Sequence, residues 1–144
     1  MFRGRAKIFA LALIAPLLFP TTARAVVVEE VIMNNKPDGS QIMTLSKNPI
    51  KAGTVLFKVM NQSPNLVHEL LVLRTDLDPR AFPTKDDKNE VDETKLQGIN
   101  ELGDLEPSKS GQMQMTLKPG SYVLFCNQPG HFKAGMVTKL TVAP

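Results

Sequence analysis

Only one cysteine, Cys126, occurs in 144 residues, together with two histidines, one tyrosine and no tryptophan. A lone thiol excludes any disulfide within the chain. Long apolar runs are equally scarce. The one candidate, Ile8 to Phe19, is interrupted by Pro16 and is shorter than the ~20 residues a membrane-spanning helix needs. It follows Arg3, Arg5 and Lys7 and leads into Ala23-Arg24-Ala25, the anatomy of a secretory leader. Residues 1–25 are therefore expected to be a signal peptide, with retention as an anchor the alternative. Residues 26–144 are expected to be a soluble domain, secreted or periplasmic. Excess charge of either sign is also missing. Four of the 17 Lys and Arg lie in the leader, so the remainder sets 13 basic against 14 acidic residues. That balance carries no footprint for nucleic acid and no strong steering field.

What is present is mostly strand pattern. "VVVEEVIM" (26–33) is β-branched, and "QIMTLS" (41–46) and "TVLFKVMNQ" (54–62) alternate apolar with polar, the period of a half-buried strand. "LVHELLVL" (66–73), "QMQMTL" (112–117), "YVLFC" (122–126) and "MVTKLTV" (136–142) follow, separated by turn formers such as "NNKPDG" and "KPGS". One stretch departs from this: residues 75–110 are polar and charged. Leu96, Ile99 and Leu102 sit three apart before Gly103, which predicts a short helix over about 92–102 within a solvated insertion. The whole reads as one all-β domain, a sandwich or barrel with one short helical excursion. Its expected core includes Val55, Phe57, Val59, Leu71, Leu73, Val123 and Phe125.

The chemistry concentrates in "FCNQPGHFKAGM" (125–136), where Cys126, His131 and Met136 are spaced Cys-x4-His-x4-Met. Cys126 ends one predicted strand and Met136 begins the next, so the three ring one end of the domain. His68 opens a separate strand just after "SPN". If that strand ends at the same pole, two imidazoles, a thiolate and a thioether converge. Two histidines and a cysteine in a trigonal set, with a weak axial methionine, form the coordination set of a blue copper electron-transfer site. The thiolate donates charge to Cu(II), the imidazoles suit both oxidation states, and the weak axial thioether helps set the potential. Pro129 stiffens the connecting loop and Gly130 allows it to bend.

"GSYVLFCNQPGHFKAGMVTKLTV" resembles the C-terminal signature of the cupredoxins, the plastocyanin-like and sulfocyanin-like blue copper proteins. "NPIKAGTVLFKVMNQSPNLVHELLVL" looks like their earlier strands and first-histidine region. The resemblance covers roughly 40–74 and 106–142, and residues 75–105 look like the excursion of exported bacterial cupredoxin-like proteins. It implies a Greek-key β-sandwich with His68, Cys126, His131 and Met136 as ligands of one type 1 copper ion. It further implies a monomeric, non-enzymatic one-electron carrier exchanging electrons with exported redox proteins. The alternative is a copper chaperone or scavenger serving a copper donor or acceptor protein. The chain departs from many members at Glu69, where they carry an asparagine that ties the two ligand loops together. Asn61, Asn65 or Asn127 are the candidates for a substitute tie.

The other readings are weaker. A nucleophilic Cys–His pair lacks a third orienting residue, and a multicopper oxidase needs far more than two histidines. A structural zinc site accepts Cys and His but makes the thioether an odd choice. Met113 and Met115, two apart, are expected to fill core rather than form a Cu(I) patch. Glu69 is expected to point outward from its strand, and Tyr122 to be a structural hydroxyl. Phe132 either packs or lines a docking surface beside His131.

Overall fold

The computed structural model describes residues 25–86 and 89–144. Residues 1–24 of the predicted 1–25 leader lie outside the described residues. Among the described residues nine strands form in chain order: β1 (Val27–Asn35), β2 (Gln41–Leu45), β3 (Ile50–Lys51), β4 (Gly53–Asn61), β5 (His68–Arg74), β6 (Asn100–Leu105), β7 (Ser110–Leu117), β8 (Gly120–Phe125) and β9 (Val137–Ala143). They make two sheets, β2-β1-β4-β7 and β3-β9-β8-β5-β6. The β1–β4 and β3–β9 pairs are parallel and the others antiparallel. Among the described residues no helix is long and apolar enough to cross a membrane.

Alternation decides the first sheet. Val55, Phe57 and Val59 of β4 are all but fully buried against Val31 and Met33 of β1, while Lys58 between them faces water. Met113 and Met115 of β7 pack against this same core. One inward position of β1 is polar. The buried Glu29 carboxylate accepts the Ser46 hydroxyl (3.1 Å) and the Lys47 N–H (3.0 Å), fastening β1 to the turn after β2.

The second sheet is covered on both faces, and its strands read accordingly. In β5, Leu70 and Val72 enter the main core, whereas Leu71 and Leu73 face the other way into a second cluster with Phe82, Val91, Val123 and Phe125. The expected core thus divides between two faces. A sheet buried on both sides needs apolar residues at both parities, which is why "LLVL" and "YVLF" run unbroken.

The cover is the excursion between β5 and β6, and here the structure corrects the sequence reading. The helix predicted over about 92–102 does not form. One 3₁₀ turn, Glu93–Lys95, is capped by Asp92, whose carboxylate accepts the Thr94 N–H at 3.2 Å. Leu96 is already extended, and Gly98 takes a left-handed φ of +81° that breaks any further winding. From Asn100 the chain pairs with β5 as β6. The three-residue spacing arose from two destinations. Leu96 and Ile99 pack on the second cluster, while Leu102 packs on the main core. A second 3₁₀ turn, Pro79–Ala81, precedes Phe82. Tyr122 is structural as expected: its hydroxyl donates to Lys118 O (2.9 Å) and accepts from Lys118 N–H (3.0 Å), closing the β7–β8 turn.

Candidate metal centre

His68 is the first residue of β5, Cys126 directly follows β8, and the 126–136 loop leads into β9. Because β5 and β8 are antiparallel neighbours, with Leu71 opposite Phe125, the start of one meets the end of the other. The loop closes on itself. The Cys126 N–H donates to Met136 O (3.1 Å), and the Met136 N–H donates to His131 O (3.0 Å). Gly130 has a φ of +82°, the bend that its lack of a Cβ permits.

The distant donors do meet. His68 Nδ1 lies 3.1 Å from His131 Nδ1, and Cys126 Sγ lies 3.9 Å and 3.5 Å from those two nitrogens. An ion about 2.05 Å from each nitrogen and about 2.3 Å from sulfur, at trigonal angles, would set such separations at about 3.6 Å (N to N) and 3.8 Å (N to S). The observed N–S separations agree within about 0.3 Å, and the N–N separation is about 0.5 Å shorter. Two Nδ1 lone pairs converging at 3.1 Å repel unless a proton or cation stands between them. His68 and Cys126 are fully buried and His131 is partly exposed. Met136 is also fully buried. Its backbone is hydrogen-bonded to those of Cys126 and His131, and its side chain belongs to the main core cluster.

The titration properties suit a metal rather than acid–base work. Burial, with His131 alongside, lowers His68 to about 4, and burial also lowers His131. Both imidazoles are therefore neutral and able to ligate. Burial raises the Cys126 thiol to about 11, so a metal must displace its proton.

Glu69 is not the outward strand residue expected from the sequence. Its carboxylate accepts the Asn127 N–H (3.0 Å), and its own N–H points at Cys126 Sγ (3.5 Å). Glu69 itself therefore ties the two ligand loops, with Asn127 as the backbone donor. Burial and the nearby carboxylates of Glu101, Asp104 and Glu93 raise it to about 7, opposed by the Asn127 N–H. Asn61 serves elsewhere: its side chain donates to Leu66 O and Leu105 O (both 2.8 Å), anchoring the approach to His68. Asn65 turns to Ser63: its Oδ1 accepts the Ser63 hydroxyl at 3.5 Å and its N–H donates to Ser63 Oγ at 3.3 Å. Phe132 packs: its ring stacks on Phe82 (5.8 Å between centroids) and meets Phe125 edge-on (5.6 Å).

No family model and no curated protein matches the sequence. Solved structures do match. An auracyanin from the photosynthetic bacterium Roseiflexus castenholzii shares 22% identity over 85% of this chain and 99% of its own, with a TM-score of 0.56. Rusticyanin from Thiobacillus ferrooxidans shares 18% over 84% and 79%, with a TM-score of 0.57. Auracyanin A from Chloroflexus aurantiacus, described as a "blue" copper protein, shares 18% over 83% and 100%, again at 0.57. The chain has the cupredoxin fold. Within this cupredoxin fold the His68–Cys126–His131 set fits a single type 1 copper ion. The side-chain pairing of Asn127 with Val91, described below, escaped the sequence reading. Its only sequence signal was one apolar residue inside a charged run.

Proposed function

We propose that the protein is an exported blue copper electron carrier, holding copper through His68, Cys126, His131 and an axial Met136. The observation that carries this is the buried triangle of two Nδ1 atoms and one Sγ. Copper bound there would supply a Cu(II)/Cu(I) couple for one-electron exchange with exported redox proteins. The chain's own residues do the rest. Three donors fixed by two strand ends and a self-closed loop need little movement between oxidation states. Burial of His68 and Cys126 excludes water, and the partly exposed His131 ring offers the route in and out. Four ligands leave no open position for a substrate. Deep burial suits retention of the ion through many cycles better than its hand-over to an acceptor.

The decisive experiment adds Cu(II) to residues 26–144. An intense visible thiolate-to-copper band should appear, with about one proton released per ion at neutral pH. The stoichiometry follows because, among the donor side chains, the thiol is the one that must lose a proton to ligate. Affinity should then rise about tenfold per pH unit between the imidazole and thiol values. A colourless complex would sink the reading.

Met136→Leu tests the axial assignment. The exchange nearly conserves volume and should cost under about 1.5 kcal/mol of stability. Copper should stay bound while the reduction potential, read by voltammetry, rises by on the order of 60 mV, a tenfold change for one electron. The sign assumes that loss of the weak axial donor costs Cu(II) more than Cu(I). Loss of copper, or an unmoved potential, would remove Met136 from the ligand set.

A further inference from the structure

The excursion between β5 and β6 does more than cover a sheet face. It grips the loop between Cys126 and His131 at both ends. At the first end, Asn127 Oδ1 accepts the Val91 N–H (2.6 Å) while its Nδ2 donates to Val91 O (3.1 Å) and Glu93 Oε1 (2.6 Å). At the other, the Gly130 N–H donates to Asn89 O (2.8 Å), and Phe132 stacks on Phe82. Val91 is fully buried and Asn127 is 3% exposed, so neither can exchange these bonds for water without local opening.

We propose that Phe82, Asn89, Val91 and Glu93 of the excursion form a clamp that positions the Cys126–His131 loop, with Asn127 as its fastener. This rests on reading the donor triangle as a copper site. The residue type matters. One side chain must offer both an acceptor and a donor to satisfy both polar groups of one buried peptide residue, and among short side chains only asparagine does so in this planar form. Asn127 is thereby held twice, its backbone N–H by Glu69 and its side-chain amide by Val91. Asn127 touches no donor atom; it acts through the backbone it shares with Cys126. The clamp orders the loop before metal arrives and resists its rearrangement when the charge on copper changes.

The test has two readouts. In the copper-free chain, Asn127→Ala should speed amide hydrogen exchange at Val91 and Gly130 about tenfold or more, because two buried bonds are lost. In the copper-loaded chain the reduction potential should fall, since a looser loop lets Cu(II) approach the tetragonal arrangement it prefers. Phe82→Leu is the second variant. It lies in the excursion, touches the loop through the Phe132 and Phe125 rings, and should move both readouts the same way by less. It decides the matter if Asn127→Ala fails to fold. Unchanged exchange at Gly130 would show that no clamp exists. Faster exchange with an unchanged or raised potential would show that the clamp does not position the metal, and either result overturns the proposal. Absence of a blue band in the unsubstituted chain would instead sink the copper reading, and the exchange result would still report on the clamp.

Discussion

Cys126→Ser should abolish the intense visible band and weaken Cu(I) binding more than about 100-fold. The reasoning starts from the donor, not the fold. A thiolate is the one strong, soft, charged ligand in the triangle, and soft sulfur ligands are what select Cu(I). A serine hydroxyl is hard and stays protonated in a site whose burial already pushes a thiol up to about 11. Altering a partner outside the ligand set typically costs 10 to 100-fold in metal affinity, so losing the principal ligand should exceed the top of that range. Chelator competition with Cu(I) reads the affinity, and absorbance reads the band. The copper-free variant should remain folded. The shorter hydroxyl weakens the contact with the Glu69 N–H, which now sits 3.5 Å from Sγ, at a cost of about 1–3 kcal/mol. Retention of the full band would overturn the thiolate assignment.

The sequence made the metal centre easier to read than the layer around it, and the reason is physical. Cys126, His131 and Met136 lie on one loop whose ends must sit together once β8 and β9 pair, so linear spacing nearly determines proximity. His68 required one further step, the antiparallel pairing of β5 with β8, which places the start of one strand beside the end of the other. The alternating strands were legible for the same reason: one covered face gives period two. The short β3 pair with β9, only Ile50–Lys51, and the edge strand β6 left no such pattern. In β6 the burial is confined to one end, and "NELGDL" carries a glycine and two charges. Its pairing with β5 is a long-range fact that local propensity cannot express. Glu69 shows the same limit at one residue. Parity along the strand assigned it outward, whereas its carboxylate accepts the Asn127 N–H beside Cys126, a partner that local pattern cannot reveal. The division of Leu70 and Val72 from Leu71 and Leu73 has the same cause, since the covering layer comes from a segment that reads as solvated.

Phe57→Ala should lower the stability of the copper-free chain by about 3–5 kcal/mol, the usual cost of emptying a fully buried aromatic position. For a domain of this size the melting temperature should fall by more than about 10 °C. The further consequence concerns the metal. Cys126 and Met136 belong to the same core cluster as Phe57, Val55 and Val59. The packing that stabilises the first sheet against the second is thus also the wall behind two of the four proposed ligands. A metal that binds only the folded state adds stability by mass action, about 2.7 kcal/mol when its free concentration is 100 times the dissociation constant. If core and centre were independent, copper would add the same increment to the parent and to Phe57→Ala. Because they share one cluster, the cavity should let the Cys126 wall relax, and the increment should shrink by more than the ~0.5 kcal/mol within which independent sites add. Denaturant melts of both chains, with and without copper, measure all four corners. Equal increments would separate the hydrophobic core from the ligand geometry. The positions of Cys126 and Met136 would then be set by strand pairing and the loop's own hydrogen bonds, not by what lies behind them.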